Sequence, residues 1–361
     1  MPARGRLPAE TFRLPVEKIR SAHYSDSYFA LSKELLEAEG RAPRVTMQVF
    51  AKRAGLLGGI DEAIAVLRLC SGRRDGGEWK TGWPRMEVWA LHEGDRIEPW
   101  ETVMTIAGEY TDFAHLETVY LGTLARRSLV MSNVRRVVDA ARGKPIVFFP
   151  ARHDHWLVQT GDGWAAHVAG AIGVSTDAQA SWWGGRGTGT IPHALIAAYG
   201  GDTVAAARAY ADRYAGEINI TVLVDFHNDS VADAVAVADA LGEDLWGVRL
   251  DTSERLVDRA LADEPDAAEL TGVNPRLASR VREALDAAGH GRVKIVASGG
   301  FDAGKIERFE ECGAPVDSYG VGSALLRGSF DFTADVVELD GRPCAKVGRE
   351  LRPNPRLERL E

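Results

Sequence analysis

The chain has 361 residues, 45% of them hydrophobic and 26% charged, with a net charge of −9. That balance describes a water-soluble globular protein of two domains and argues against a nucleic-acid surface, leaving room for a local basic pocket. The widely spaced Cys70, Cys312 and Cys344 exclude a disulfide framework and a structural zinc site. With no signal-like or spanning apolar run, the expected location is cytoplasmic.

Residues before about 15 read as a loose arm. Residues 29–39 have helical spacing and stop at Gly40, and 45–50 alternate like a half-buried strand. Residues 56–67 predict a helix and 73–77 a charged surface turn. From 86 to 110 short apolar segments flank a turn-rich HEGDRIEPW, which predicts antiparallel strands of a small β-sandwich. Two helices are expected over 115–124 and 129–141.

From residue 145 the rhythm becomes strand, helix, strand. Strands are expected over 145–149, 218–226, 245–251, 293–297 and 317–321. Helices are expected over 164–172, 191–199, 204–214, 231–241, 254–262, 275–288 and 302–312. Repeated βα units imply a parallel sheet, and their number favours closure. The strand count is nearer six or seven than eight, so the expected fold class is α/β with an irregular, incomplete α/β barrel. Residues 334–339 and 344–347 flank Asp340-Gly341 and read as a hairpin that adds strands to the first domain.

In such barrels the working residues gather at the carboxyl ends of strands. Ser298-Gly299-Gly300 and Gly322-Ser323 each stand between a strand and a predicted helix. Unpaired N–H groups and a positive dipole end there can hold a phosphate; the alternative is a pair of ordinary tight turns. The first barrel strand delivers Arg152, His153, Asp154 and His155. The 218–226 strand delivers Asp225, His227, Asn228 and Asp229, and the 245–251 strand delivers Arg249 and Asp251. Arginine's planar fork suits phosphate and carboxylate oxygens. Asp251 suits sugar hydroxyls or Mg²⁺ held together with substrate phosphates. Arg249 and Asp251 read alternatively as a strand-end ion pair, and His227 as a packed residue. The histidines at 153 and 155 lack a spacing partner for zinc. Pro192 follows a glycine-threonine run and starts a helix, placing His193 at its amino end. There the dipole is expected to lower the histidine's pKa and keep a neutral, nucleophilic imidazole; the alternative is a capping role.

Six segments, in order, resemble the nicotinate phosphoribosyltransferases, within the type II phosphoribosyltransferases that include the quinolinate and nicotinamide enzymes. They are Tyr24-Ser25-Asp26-Ser27-Tyr28, Leu116-Glu117-Thr118, Gly189-Thr190-Ile191-Pro192-His193, Gly247-Val248-Arg249-Leu250-Asp251, Ser298-Gly299-Gly300 and Gly320-Val321-Gly322-Ser323. The resemblance spans roughly residues 16–348. It implies an N-terminal α/β sandwich of residues 1–140 completed by 334–361, and a barrel of 141–333. It also implies joining of nicotinate to 5-phosphoribosyl-1-diphosphate with ATP hydrolysis and Mg²⁺ in NAD salvage, by a homodimer with a shared active site. Carried onto this sequence, His193 would be phosphorylated by ATP, Asp251 would meet the ribose, and Ser298, Gly299, Gly300, Gly322 and Ser323 the 5′-phosphate. Tyr24 would stack on the pyridine from the partner subunit, and Arg152 would face the carboxylate or diphosphate. Arg249 and Asp225 complete the expected substrate contacts. Paired arginines of the family are replaced here by Arg152-His153-Asp154-His155, and a GTS segment by Val174-Ser175-Thr176. Zinc-knuckle cysteines of some archaeal members are absent. The rival readings are a quinolinate phosphoribosyltransferase, whose branch lacks the phosphohistidine, and a non-catalytic phosphosugar-binding barrel, which would not need His193. A barrel aldolase would need a strand-end lysine, and Lys294 lies inside its strand.

Overall fold

A computed structural model describes residues 5–361, so the first four residues of the expected arm lie outside the described residues. Two compact units emerge. One holds the described residues up to Ser132 together with Gly328–Glu361; the other is Asn133–Arg327.

The first unit is built on one antiparallel sheet of six strands. In spatial order they are Arg342–Pro343, Phe332–Leu339, Arg44–Ala51, Thr102–Glu109, Glu87–Ala90 and Glu358–Arg359. The tail strand pairs with the central strand from Val45↔Leu339 to Ala51↔Phe332. Asp340 (φ 49°) and Gly341 (φ 74°) turn the chain, as a two-residue hairpin requires. The return strand is Arg342–Pro343 alone rather than residues 344–347. Helix Ile60–Cys70 presents Ile60, Ala63, Ile64, Leu67 and Cys70 to Val49, Met104 and Ile106 in a continuous core. The small β-sandwich expected over 86–110 is instead part of one antiparallel sheet with helices against it, the α/β sandwich that the resemblance implies.

Other differences have local causes. The 56–67 helix begins only at Ile60, because Gly55–Leu56 pairs with Arg96–Ile97. Residues 73–77 belong to a hairpin of Gly72–Asp75 with Glu78–Thr81. The N-terminal arm is held rather than loose: Arg6 Nη1 lies 2.9 Å from Asp61 Oδ1, and Phe12 is buried. The two helices expected between 115 and 141 are one, Glu117–Ala140, since no glycine or proline stands between Leu124 and Leu129 to break it.

In the second unit six parallel strands run in the order Ile220–Leu223, Leu245–Leu250, Lys294–Ala297, Ser318–Val321, Ile146–Phe148 and Gly173–Val174. Their residues are almost all apolar and buried, as in sheets covered on both faces. The two edges do not pair directly. Thr188 N–H donates to the Val174 carbonyl (2.7 Å) and Ile191 N–H to the Thr221 carbonyl (3.1 Å), so one short extended segment joins them. The result is an irregular α/β barrel, as the strand count implies.

Five α-helices of this unit have a side-chain N-cap: Thr176, Asp202, Asp229, Asn274 and Asp302 each accept a backbone N–H from the first turn. The helix expected over 164–172 is Gln159–Ala169, stopped by Gly170 (φ 107°). Residues 254–262 are not an α-helix. Asp258 there accepts from Ser230 N–H, Ser230 Oγ and Ala260 N–H, and Val257 bridges Thr271, which holds the segment open around a short turn at Arg259–Leu261. No helix among the described residues is long and apolar enough to cross a membrane.

Candidate active site

Arg249 stands one residue from the carboxyl end of its strand, and its side chain is only 17% exposed. Three of its nitrogens are engaged. Nε donates to Ser298 Oγ (2.7 Å), Nη1 to Thr190 Oγ1 (3.0 Å), and Nη2 lies 3.3 Å from Asp251 Oδ2. The guanidinium carbon sits 4.9 Å from the centre of the Phe149 ring. Burial draws the Arg249 pKa below its ordinary value, while Asp251 and Asp225 pull the other way. Ser298 Oγ lies 2.9 Å from both Asp251 Oδ1 and the Leu250 carbonyl, with one proton to give. The expected strand-end ion pair is present, and Ser298 of the glycine turn bonds to both of its members. Arg249 is a fixed prop, and Asp251 is oriented from two sides.

Directly after Ser298, Gly299 (φ 88°) and Gly300 (φ 66°) take two successive left-handed conformations. A Cβ on Gly299 would stand 3.3 Å from Asp251 Oδ1. Lys294–Ala297 and Ser318–Val321 are paired in parallel, so this turn and Gly322-Ser323 leave neighbouring strands at the same end. Gly320 permits close packing of Phe149, whose ring would lie 2.2 Å from an added Cβ; at Gly322 the obstacle would be His153, at 2.8 Å.

The helix expected over 302–312 is present, but it does not start on the glycine turn itself, and no α-helix follows Gly322-Ser323. Helix Ala303–Glu311 begins three residues after Gly300, and its N-cap Asp302 accepts the Lys305 N–H at 2.9 Å. Ser323–Leu326 is a single 3-10 turn. A carboxylate already caps the longer helix, so an anion bound here would have to use glycine-turn amides.

His193 opens a six-residue helix, His193–Ala198, with Pro192 as the N-cap rather than inside the first turn. Its Nε2 lies 2.9 Å from Asp225 Oδ1, at the carboxyl end of the Ile220–Leu223 strand. That hydrogen bond raises the His193 pKa, with further help from the charges of Asp225 and Asp251 against burial and Arg249. The expected lowering by a helix dipole is therefore overturned: a carboxylate in contact outweighs the end of a one-and-a-half-turn helix. An ionised carboxylate only accepts, so Nε2 carries a proton, and in the neutral ring Nδ1 holds the free lone pair.

Arg152, in the Pro150–His153 turn, is exposed and has no hydrogen-bond or ion-pair partner among the described residues. Its charge adds to burial in lowering the neighbouring His153 pKa. His155 accepts from Leu157 N–H and stacks on Trp156. Three residues of the 225–229 group serve the fold: His227 pairs with Asp233, Asn228 (φ 55°) donates to the Val257 carbonyl, and Asp229 caps its helix. Tyr24 belongs to the other unit, where it is 44% exposed.

The second unit thus holds two bonded groups, His193 with Asp225 and Arg249 with Asp251 and Ser298, which influence each other through charge. Sequence reasoning missed three supports. Thr190 lies within a motif already singled out, Phe149 was the last residue of an expected strand, and Lys305 looked like an ordinary helix-surface lysine. Among the described residues no group of three or more His, Cys, Asp or Glu side chains would hold a metal. Asp251, braced by Arg249 and Ser298, is a single carboxylate, so a divalent cation held there would take most of its ligands from substrate oxygens and water.

Comparison with known proteins agrees with this fold. A family model for the quinolinate phosphoribosyl transferase N-terminal domain matches residues 26–128. Nicotinate phosphoribosyltransferase pncB1 of Mycobacterium tuberculosis is 34% identical over 270 residues, which is 73% of this chain and 56% of that protein. The chain spans about half the length of the curated relatives it matches. The crystal structure of nicotinate-nucleotide pyrophosphorylase from Pyrococcus furiosus superposes with a TM-score of 0.79 at 32% identity, covering 93% of this chain and 80% of that one. Human nicotinic acid phosphoribosyltransferase shares the fold, with a TM-score of 0.69 at 19% identity over 89% of this chain and 76% of that one. The chain belongs to the type II phosphoribosyltransferases, the family of its nicotinate phosphoribosyltransferase and nicotinate-nucleotide pyrophosphorylase relatives.

Proposed function

We propose that the protein is an enzyme of NAD salvage that joins nicotinate to 5-phosphoribosyl-1-diphosphate, releasing diphosphate, with ATP hydrolysis coupled through His193. The observation that carries this reading is the braced Asp251 beside the Ser298–Gly300 turn. A terminal phosphate on the turn amides puts the ribose over Asp251, with its reacting carbon facing the open part of the site.

In the reaction the pyridine nitrogen forms a bond to the anomeric carbon while the carbon–oxygen bond to diphosphate breaks. The leaving diphosphate takes the electron pair, and the sugar passes through an oxocarbenium-like state. Asp251 and Asp225 offer negative charge to that state, and Arg152 has its donors uncommitted for diphosphate or the nicotinate carboxylate. Mg²⁺ bound with the substrate would neutralise leaving-group charge, with Asp251 as its side-chain ligand. His193 Nδ1 is the atom that would accept a phosphoryl group from ATP, with Asp225 holding the opposite nitrogen. Gly322 and Ser323 would add contacts to the sugar phosphate. We further infer a homodimer in which Tyr24 of one chain stacks on the pyridine bound by the other.

Purified protein given nicotinate, 5-phosphoribosyl-1-diphosphate and ATP with Mg²⁺ should form nicotinate mononucleotide and diphosphate, measured by chromatography. Faster turnover of quinolinate or nicotinamide would overturn the substrate. His193→Ala should abolish stimulation by ATP while a slow ATP-independent synthesis persists; unchanged coupling would remove the role given to His193.

A further inference from the structure

The glycine turn has a support that neither the motifs nor the site chemistry accounts for. Lys305 lies on the first full turn of helix Ala303–Glu311, half-buried, and its side chain points back along the chain. Nζ donates to the Gly299 carbonyl at 2.9 Å and lies 4.4 Å from the centre of the Phe301 ring. Phe301 is itself 2% exposed and packs edge-on against Phe309 at 4.9 Å, so the platform under the ammonium is fixed. An amine held between a carbonyl and a buried ring has lost much of its water, and burial is the largest influence lowering the Lys305 pKa. The neighbouring charges act on it from both sides: Arg308 lowers the value further, while Asp302, Glu254 and Asp251 raise it.

The consequence follows from peptide geometry. The carbonyl of Gly299 and the N–H of Gly300 belong to one planar trans peptide and point in opposite directions. A hydrogen bond that fixes the carbonyl on the helix side fixes the N–H on the other side. Two adjacent glycines with positive φ are otherwise free to rotate this peptide, since neither carries a side chain to restrain it.

We propose that Lys305 is a positioning residue for the sugar-phosphate subsite: by holding the Gly299 carbonyl it aims the Gly300 N–H at the terminal phosphate, and its charge adds to the attraction. The inference rests on the phosphoribosyl reading above and names a residue that acts through the turn. It does not touch the reacting carbon, so its loss should weaken binding of the sugar phosphate more than it slows the chemical step.

The test is calorimetric titration of the full chain with ribose 5-phosphate, together with steady-state kinetics. Lys305→Met should raise the ribose 5-phosphate Kd and the KM for 5-phosphoribosyl-1-diphosphate at least about tenfold, with kcat changed less than about threefold. Lys305→Arg keeps charge and donors and should recover most of the affinity. Where Lys305→Met fails to fold, Lys305→Gln, which keeps a donor but no charge, is read on the same scale and should lie between the two. Wild-type affinity in a folded Met or Gln variant, or a loss confined to kcat, overturns the proposal. If the wild-type chain itself takes up no ribose 5-phosphate, the phosphoribosyl reading fails, and the Lys305 proposal falls with it.

Discussion

The two arginines at the carboxyl ends of the barrel strands differ in kind. Arg249 spends Nε, Nη1 and Nη2 on Ser298, Thr190 and Asp251 and lies against Phe149. Arg152 stands exposed on a one-turn segment with no polar partner among the described residues. The first builds the cradle before any substrate arrives; the second has its donors in water, available to a ligand. On the proposed reading, the sugar-phosphate end would be preorganised, and the end that faces base and leaving group would be completed by what binds. This division matches the sequence, since departures from the family pattern fall at residues 152–155 and 174–176 and spare the GVRLD and SGG segments.

Substitutions on the two sides should therefore fail differently. The largest expected effect is at Asp251: Asp251→Ala should lower kcat/KM at least about a hundredfold in the synthesis assay, as loss of a transition-state contact does. A loss below about tenfold would move the ribose contact elsewhere. Arg249→Met should reduce both activity and stability, the latter by about 2–4 kcal/mol in denaturant unfolding, because it strands the Asp251 carboxylate and two hydroxyls in a half-buried network. Arg152→Ala should cost about tenfold in kcat/KM and leave unfolding unchanged within about 0.5 kcal/mol. Equal destabilisation by both arginine variants would erase the distinction drawn between them.

The smallest effect expected is on pH dependence. The hydrogen bond that His193 donates to Asp225 holds the His193 pKa above the ordinary histidine value. The stabilisation from that pair is fully present below the unfolded value and fades as pH rises through the folded one. Phosphoryl transfer to the ring needs the neutral form, so ATP stimulation should grow with pH over that interval. Asp225→Asn should move its onset to lower pH, and an onset that stays put would show that another group controls it.

Much of the barrel was legible because buried parallel strands read as short apolar runs between glycine and aspartate punctuation. Ile146–Phe148, Leu245–Leu250 and Ser318–Val321 all fall where such runs occur. The tail's return to the first sheet was legible from Asp340-Gly341 between two strand-like runs. Long-range partners were not. The dipole argument for His193 failed because residue spacing places a histidine on a helix but says nothing about a carboxylate arriving from another strand 32 residues away. The segment at 254–262 has helical composition, yet its Asp258 is used by Ser230, a contact made only by the folded chain. Lys305 escaped notice for the same reason: nothing local marks a helix lysine that folds back onto a glycine carbonyl.

The position of a bound sugar phosphate tests the pairing of Asp251 with the glycine turns most directly. A crystal structure of the protein with 5-phosphoribosyl-1-diphosphate should place the terminal phosphate within about 3 Å of the Gly300 amide and of an amide in Gly322-Ser323, with a ribose hydroxyl on Asp251. A phosphate found instead on Arg152 alone, with the Ser298–Gly300 turn facing solvent, would contradict it.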